Sequence, residues 1–322
     1  MSFSSLKHLL HRTALGVRDG IDSRRWPRRP HALNVELTAI CDSKCIHCPR
    51  QEMDRVMRPM PLPLFTKLVD QAAELGIPEL HPNGFGELMT LRNLEAYLDI
   101  ISNRSHRFKI VINTNGYRMT EEKIELLIKH RVALLNICID GATAKTAETI
   151  RVGLEFDQIE ANIHRLMAIR RERRLGYPKI RVGLVKIPQN IAEVPAFLDR
   201  WQGKVDYVGV DGYSNRAGSL TDKFRTEAAA ETVAPNARPG TCVLPFKDLN
   251  IWADGRAVLC CNDWNEQHPV GDLNTQSLAE IWQGAALAEA RRLHREGKGA
   301  ELPICASCNY WQEPTRGLAL WS

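Results

Sequence analysis

The chain has 322 residues, 44% of them hydrophobic and 25% charged, which is ordinary for a folded protein and enough for one large domain and a small one. Residues 1–30 hold seven basic and two acidic side chains and so account for the whole net charge of +5. The remaining chain is formally neutral, which argues against a broad nucleic-acid surface, and no stretch resembles a membrane span or a signal peptide.

The N-terminal segment, residues 1–31, combines this basic charge with apolar residues that partly follow one face of a helix. These apolar residues are Phe3, Leu6, Leu9, Leu10 and Val17. We expect an arm or helix that packs on the folded body. The alternative is a weak contact with an anionic surface or a partner.

From residue 32 onward, apolar strand-like runs alternate with amphipathic stretches, which predicts parallel βαβ units. The predicted strands are Leu33–Leu37, Glu79–His81, Lys109–Asn113, Ala133–Ile139, Lys179–Val185 and Asp206–Val210. The predicted helices are Leu64–Leu75, Leu91–Ile101, Glu121–Ile128, Asp157–Arg173 and Val194–Trp201. Six units are too few for a closed eight-stranded barrel and fit an open, partial one. Functional loops are then expected at the carboxyl ends of the strands.

Three cysteines crowd into the loop after the first strand, with the spacing C-x3-C-x2-C: Cys41, Cys45 and Cys48. Three thiolates this close can hold three corners of one iron–sulfur cube, which normally takes four cysteines. The missing ligand leaves one iron with an open position, where a metal centre can do chemistry. A zinc knuckle or three unrelated buried thiols are the alternatives. The nine cysteines of the chain are clustered, which indicates metal ligands in a reducing compartment rather than disulfides.

Glycine-rich or polar segments follow the next three strands. Asn83-Gly84-Phe85-Gly86-Glu87 follows the second, where glycines let the backbone approach a ligand and the carboxylate can receive an ammonium group. Asn113-Thr114-Asn115-Gly116 follows the third and is, at its simplest, a turn. Cys138-Ile139-Asp140-Gly141 follows the fourth. Arg151 comes ten residues after this last segment, and a guanidinium can bind a carboxylate through two hydrogen bonds.

The C-terminal part begins after a polar, Ala/Pro-rich stretch that we interpret as a linker with a short helix. Leu249–Leu259 predicts a β-hairpin that turns at Asp254-Gly255, and a helix is expected from Leu278 that carries Trp282 and Leu287. The cysteines of this part are Cys242, Cys260, Cys261, Cys305 and Cys308. Five thiols allow one four-ligand cluster and leave one over. Four thiolates suit zinc equally well, which keeps a structural zinc site as the alternative.

Taken together, the motifs after four successive strands resemble those of the radical S-adenosylmethionine (radical SAM) superfamily, over about residues 33–215. About residues 240–312 resemble the SPASM extension of radical SAM maturases and sugar-modifying relatives. The resemblance implies an α/β fold, a partial (β/α)6 radical SAM barrel with a small cysteine-rich SPASM-like domain. The expected divisions are an arm at 1–31, a core at 32–218, a linker at 219–240 and an auxiliary-cluster domain at 241–322.

The resemblance also implies roles for individual residues. The three loop cysteines would hold a [4Fe-4S] cluster whose open iron binds the methionine end of SAM. Glu87 would contact the amino group of SAM, and Arg151 would face its carboxylate. His47 would pack beside the adenine, with an exposed loop histidine as the alternative. The other residues expected at the cofactor are Gly84, Gly86, Thr114, Asn115, Cys138 and Asp140.

Two features depart from the family pattern. Phe85 and Leu88 stand where the family motif Gly-Gly-Glu-Pro has other residues, and Cys138 takes a position that is usually serine. A serine-like hydrogen bond there is therefore in doubt, and a small buried strand residue is the simpler interpretation of Cys138. The full SPASM extension carries two auxiliary clusters and more cysteines than this chain has. We expect one auxiliary cluster, on Cys242, Cys305, Cys308 and either Cys260 or Cys261; adjacent strand residues point to opposite faces, so both are not expected to serve.

The expected function is that of a radical SAM oxidoreductase that cleaves SAM and takes hydrogen from a small polar substrate, giving dehydrogenation or epimerisation. A sugar, aminocyclitol or glycan is favoured over a peptide, because the sequence shows no separate N-terminal domain to capture a leader peptide and has few residues to spare for a peptide groove. A peptide maturase and a non-catalytic metal-binding scaffold are the alternatives. The expected electron donor is a flavodoxin or ferredoxin, and the expected location is the cytoplasm.

Overall fold

The structure is a computed structural model that describes residues 27–55, 57–220, 224 and 242–309, together with the backbone of 319–321. The predicted N-terminal helix and most of the predicted linker lie outside these residues. Within the described part of the chain, no helix is both long and apolar enough to cross a membrane.

Six parallel strands form the centre of the molecule, in the order in which they occur along the chain. They are β1 (Ala32–Val35), β2 (Glu79–His81), β3 (Lys109–Thr114), β4 (Leu134–Cys138), β5 (Lys179–Val185) and β6 (Tyr207–Asp211). The predicted α/β architecture is confirmed. The first strand is shorter than its apolar run, because the chain leaves the strand at Glu36 and turns toward the cysteine loop.

The helices between these strands cover one face of the sheet. They are α1 (Leu62–Glu74), α2 (Leu94–Ser102), α3 (Glu121–Lys129), α4 (Ala144–Ile150), α5 (Phe156–Glu172) and α6 (Val194–Trp201). Side chains from strands and helices share one apolar core, which includes Leu33, Ile112 and Phe65. Burial of this core is the main source of stability. The short helix α4 was not predicted from the sequence.

The C-terminal part continues the same sheet. Strand β7 (Asp248–Ile251) pairs in parallel with β1, and β8 (Arg256–Val258) and β9 (Pro269–Asp272) follow in antiparallel order, which confirms the predicted hairpin. At the other edge, β10 (Ala319–Trp321) pairs antiparallel with β6. The cysteine-rich part is therefore attached to the core by strand pairing.

The helix predicted from Leu278 is in fact two helices, so this prediction was wrong. A capping box of Ser277 and Glu280 begins α8 (Leu278–Gln283), and Gly284 then separates it from α9 (Ala285–Arg295) because its backbone is extended. Two further short helices flank this pair, α7 (Leu244–Lys247) before it and α10 (Pro303–Ala306) after it. Leu287 consequently lies on α9.

The inner face of the sheet, turned away from the helices, is polar. Asn113 on β3, Asn136 on β4 and Arg181 on β5 are paired in register, so their side chains project from the same face. On the two neighbouring strands of the same sheet, Asn34 on β1 is in register with His81 on β2. An apolar outer face and a polar inner face make the interior of the partial barrel a place for a polar ligand rather than a second core.

Candidate active site at the carboxyl ends of the strands

The cysteine loop is held against the C-terminal end of α4 and the residues that follow it. The backbone N–H of Lys44 donates to the carbonyl of Val152 at 2.8 Å, and that of Ile46 donates to the carbonyl of Ile150 at 2.9 Å. The Ser43 hydroxyl donates to the same Val152 carbonyl at 3.2 Å. The predicted cysteine loop and the predicted Arg151 thus meet because their backbones are bonded to each other.

Hydrogen-bond donors lie close to the thiols of the cysteine loop. The Ser43 hydroxyl is 3.1 Å from Cys45 Sγ, the Ser43 N–H is 3.5 Å from Cys41 Sγ, and Arg151 Nη1 is 3.8 Å from Cys45 Sγ. Burial raises the pKa of Cys41 to about 12 and also raises that of Cys45. A bound metal reverses this preference by favouring thiolates, and the nearby guanidinium and N–H groups stabilise negative charge on the sulfurs. Together with Cys48, these two cysteines provide three soft thiol ligands, which fit an iron–sulfur cluster.

Glu87 joins the loops that follow β2 and β3. Its Oε1 accepts from the Met89 N–H at 3.0 Å and from the Thr114 hydroxyl at 2.7 Å, and its Oε2 accepts from the Asn115 N–H at 2.7 Å. Burial raises the pKa of this carboxyl, while the three donors favour its charged form. A carboxylate has about four acceptor positions, so the bonds within the protein leave room for one more donor. Contact with the amino group of SAM stays a prediction.

Gly86 packs directly on the chain that enters the cysteine loop. A Cβ atom at this position would overlap the carbonyl of Thr38 and lie 2.7 Å from the carbonyl oxygen of Ile40. The N–H of the next residue, Glu87, donates to Ile40 at 2.9 Å. Only glycine allows this approach, so the predicted glycine motif brings the β2 loop to the cluster loop. Gly84 lies close by, against the side chain of Glu36.

Gly86→Ala should separate these two loops, because backbone carbonyls cannot move aside as the end of a side chain can. We expect affinity for SAM to fall by at least about tenfold, measured by equilibrium dialysis on reconstituted protein. Gly176→Ala is the matched control, since a Cβ there meets no atom within 4 Å. Equal SAM affinity in the two variants would contradict this placement of the β2 loop.

Asp140 and Arg151 form a buried ion pair beside the cysteine loop. Arg151 Nη2 lies 2.6 Å from Asp140 Oδ2, and His47 Nε2 lies 3.6 Å from the same oxygen. Burial would lower the pKa of Arg151, but the Asp140 carboxylate holds it above its ordinary value, so the guanidinium is charged. Asp140 has φ of 64°, an uncommon conformation for a residue with a side chain, and its Oδ1 accepts from the Val185 N–H at 2.7 Å.

This arrangement changes two expectations. His47 is 8% exposed, so the interpretation as a solvent-exposed loop histidine was wrong. Arg151, expected at the SAM carboxylate, has Asp140 as a partner within the protein; contact with SAM through its remaining donors stays a prediction. Asp140 was included only as part of a motif, and its pairing with Arg151 could not be read from the sequence.

Thr114 and Asn115 are both buried at the end of β3. Asn115 Nδ2 donates to Asp42 Oδ1 at 2.8 Å, which ties this turn to the cysteine loop. Arg118 donates to the other oxygen of Asp42 at 2.7 Å. Asp42 was not singled out from the sequence, although its place between two loop cysteines was a usable signal.

Cys138 ends β4 on the inner face, and burial raises the pKa of its thiol to about 11.

The C-terminal thiols surround a second site. Cys242, Cys260, Cys305 and Cys308 line one small cavity together with the buried ring of His294. His294 Nε2 lies 3.6 Å from Cys305 Sγ, a contact that the sequence gave no reason to expect. Burial raises the pKa of Cys242 and of Cys305 to about 12 each. Four convergent thiols fit a second iron–sulfur cluster.

Cys261 is the one C-terminal cysteine that is not among the residues lining this cavity. Interaction with Cys261, together with burial, raises the pKa of the Cys260 thiol. Interaction with Cys260 and the positive charge of Arg216 lower the pKa of the Cys261 thiol. Cys260 as the fourth ligand stays a prediction, for which the cavity lining is the reason. Among the described residues, no group of three or more Cys, His, Asp or Glu is placed to hold a single metal ion.

A small apolar cluster lies between the cysteine loop and the C-terminal hairpin. Phe85, Trp252 and Val258 pack together, and Cys48 packs against them. Val258 ends β8, two residues before Cys260. The cysteine loop, the β2 loop and the C-terminal hairpin therefore meet in one place.

An ion pair that the sequence did not reveal reinforces the same junction. Arg55 donates from both terminal nitrogens to Glu36, at 2.5 and 2.7 Å, and from Nε to the Trp264 carbonyl at 2.7 Å. Glu36 Oε2 also accepts from the Phe85 N–H at 3.1 Å. Glu36 is fully buried and Arg55 nearly so. One guanidinium and one carboxylate thus connect β1, both loops and the C-terminal part.

Comparison with known families agrees with this site. Residues 35–200 match the Radical SAM superfamily, and residues 242–309 match SPASM, described as an iron-sulfur cluster-binding domain. The chain therefore belongs to the radical SAM superfamily and carries a C-terminal SPASM domain. Its cofactors are a [4Fe-4S] cluster, SAM and an auxiliary iron–sulfur cluster, and the zinc alternatives are not supported.

Similar proteins differ in what they act on. The PqqA peptide cyclase of Granulibacter bethesdensis is 26% identical over 80% of this chain and 74% of its own length. The S-adenosyl-L-methionine-dependent 2-deoxy-scyllo-inosamine dehydrogenase of Niallia circulans is 21% identical over 86% of this chain and 92% of its own.

Solved structures show the same fold. BtrN in complex with AdoMet and 2-DOIA matches with a TM-score of 0.62 at 17% identity, covering 90% of this chain and 98% of that one. Streptococcus suis SuiB bound to the precursor peptide SuiA matches with a TM-score of 0.66 at 15% identity, covering 95% of this chain and 75% of that one.

Proposed function

We propose that this enzyme dehydrogenates a small hydroxyl-bearing substrate, using SAM at the cysteine-loop site and, as electron acceptor, an auxiliary iron–sulfur cluster held by the C-terminal thiols. The observation that carries the proposal is the single cavity lined by Cys242, Cys260, Cys305 and Cys308. Cys41, Cys45 and Cys48 would hold the loop cluster, which would supply the electron for reductive cleavage of SAM and so allow removal of one hydrogen atom from a substrate carbon. Oxidation of an alcohol then releases one proton and one further electron, so an acceptor is required.

The protein's own residues prepare this chemistry by position and charge. Arg151 places a positive charge 3.8 Å from Cys45 Sγ, and Asp140 holds that guanidinium in place at 2.6 Å. Such preorganised charge costs no rearrangement during reaction. The apolar side chains of Phe85, Trp252 and Val258 pack beside Cys48, where the cysteine loop meets the C-terminal hairpin. The polar inner face of the sheet supplies hydrogen-bonding groups for a hydroxylated substrate. Similarity to the 2-deoxy-scyllo-inosamine dehydrogenase supports the same substrate class.

Turnover in deuterated water tests the reaction type. A dehydrogenase should give a product two hydrogens lighter than the substrate, with no deuterium at carbon. An epimerase should instead give a product of equal mass apart from one deuterium at an inverted carbon, because a thiol hydrogen exchanges with solvent. The second result would reject dehydrogenation and would point to a thiol donor such as Cys261.

Peptide modification is the second candidate, favoured by the similarity to PqqA peptide cyclase. It predicts that a precursor peptide, and not a cyclitol, accelerates formation of 5′-deoxyadenosine. The proposal of a small substrate predicts the reverse in the same assay.

The ligand assignment at the second site predicts different iron contents for two neighbouring variants. Cys260→Ala should lower the iron content of fully reconstituted protein from about eight to about four per chain, because one cube would lose a ligand. Cys261→Ala should keep about eight. Iron analysis with Mössbauer spectroscopy checks both variants, and the reverse pattern would assign Cys261 instead.

We further propose a flavodoxin or ferredoxin as electron donor and a cytoplasmic location. All nine cysteines lie in the described part of the chain and are free thiols, which suits a reducing compartment. Reduction of the reconstituted protein by purified flavodoxin in place of dithionite tests the donor. Absence of any reduction by either flavodoxin or ferredoxin would reject this part of the proposal.

A further inference from the structure

An arginine–aspartate pair crosses the inner face of the sheet close to the cofactor residues. Arg181 is the third residue of β5. Its Nη2 donates to both carboxylate oxygens of Asp211, at 2.9 and 2.7 Å. Asp211 ends β6. The arginine side chain therefore runs toward the carboxyl ends of the strands, the same end at which the cysteine loop lies.

Glycines on two adjacent strands make room for this side chain. Gly183 on β5 and Gly209 on β6 are paired in register, and Cys138 on β4 is in register with Gly183. A Cβ atom at Gly209 would overlap the Arg181 guanidinium, and one at Gly183 would lie 3.0 Å from Arg181 Nη1. The guanidinium thus occupies space that any other residue at 209 would fill.

The pair is neither a core ion pair nor an ordinary surface ion pair. The side chain of Arg181 is 16% exposed and that of Asp211 is 31% exposed, so both can be reached from the interior of the partial barrel. Within the part of the chain that the structure describes, the two side chains hydrogen-bond only to each other, so the other Arg181 donors and the remaining lone pairs of Asp211 are available to a ligand. Asp140 Oδ1 accepts from the Val185 N–H at 2.7 Å, and Val185 is in register with Asp211, which places the inner-face pair next to the proposed cofactor site.

A neighbouring asparagine points to the same space. Asn136 Nδ2 donates to Asn113 Oδ1 at 2.7 Å, while its Oδ1 is buried and has no hydrogen-bond partner among the described residues. An unsatisfied buried acceptor costs about 1–3 kcal/mol, so a donor from water or ligand is expected there. Asn136 and Arg181 are paired in register on adjacent strands. Donors, acceptors and a carboxylate therefore stand side by side on one face.

We infer that Arg181 and Asp211, with Asn136 beside them, form the substrate-anchoring subsite of this enzyme and bind a hydroxylated ring that carries an amine. Arg181 donates to ring hydroxyls, and Asp211 accepts from the ammonium group and from a neighbouring hydroxyl. Asn136 Oδ1 accepts from a further hydroxyl. Gly209 is a positioning residue, because it keeps the guanidinium in place. The inference rests on the proposed function and specifies which groups recognise the substrate.

Equilibrium binding to reconstituted protein in the presence of SAM tests the subsite. The probes are 2-deoxy-scyllo-inosamine and scyllo-inositol, which has no amine. Arg181→Met and Gly209→Ala should each weaken binding of the inosamine by at least about tenfold, and Gly176→Ala, at an open glycine, should leave it unchanged. Asp211→Asn should weaken binding of the inosamine more than that of scyllo-inositol, because only the first ligand loses an ion pair. Gly209→Ala retains the arginine, so the test stands even if Arg181→Met fails to fold.

The outcomes separate this inference from the function on which it rests. Binding of SAM without binding of either cyclitol, or cyclitol binding that is equal in wild type, Arg181→Met and Gly209→Ala, would overturn the subsite alone. Failure of the reconstituted wild type to bind SAM would overturn the proposed function and the subsite with it.

Discussion

Replacement of Cys45 by alanine is expected to remove the loop cluster and to reduce release of 5′-deoxyadenosine to the background of protein-free solution. Cys45 is the buried thiol of the three, and it contacts both the Ser43 hydroxyl and the Arg151 guanidinium. Two remaining thiols cannot hold a cube that already lacks its fourth protein ligand. Iron analysis, electron paramagnetic resonance and chromatography of the nucleoside product measure the loss.

Cys138→Ala is the matched control for this variant, since Cys138 lies on the inner face and outside both sets of proposed ligands. It should retain about eight irons per chain. Normal iron content and normal SAM cleavage in Cys45→Ala would show that the loop is not the cluster site.

Replacement of Arg55 by methionine should be the most destabilising change outside the thiol sites. It leaves the Glu36 carboxylate fully buried without its cation, and removing one partner of a buried pair costs about 3–5 kcal/mol. Three segments lose contact together, because Arg55 also donates to the Trp264 carbonyl and Glu36 accepts from the Phe85 N–H. We expect the free energy of unfolding in urea to fall by that amount.

Lys129→Met serves as the comparison for Arg55→Met. It removes an ion pair with Glu95 in which both side chains are more than half exposed, and such pairs contribute little. The double variant Glu36→Gln with Arg55→Met should recover part of the lost stability, since no charge is then buried alone. Equal stability of Arg55→Met and Lys129→Met would mean that the Glu36–Arg55 pair does not hold the junction together.

Local patterns in the sequence predicted the central sheet because each parallel strand is buried on at least one face and bounded by polar turns. The cysteine loop was equally legible, since three soft ligands within eight residues have few other uses. The pairing of β7 with β1 was not predictable, because the two strands lie about 216 residues apart and neither carries a signal that names its partner. The same limit hid Glu36–Arg55 and Arg181–Asp211, which form only after the chain folds.

The two glycine motifs illustrate a second limit. The sequence indicates that Gly86 lets the backbone approach something, but only the structure shows that this is the carbonyls of Thr38 and Ile40. Gly183 and Gly209 were not singled out from the sequence. Their role depends on the length of the Arg181 side chain, which reaches across to the adjacent strand.

The most direct test of the central claim is the release of 5′-deoxyadenosine by the wild-type protein. The protein is reconstituted anaerobically with iron and sulfide, reduced with dithionite and supplied with SAM. Membership of the radical SAM superfamily with an intact loop site predicts that methionine and 5′-deoxyadenosine form in equal amounts and only when reductant is present. Reduced, iron-loaded protein that binds SAM and leaves it uncleaved would contradict the account.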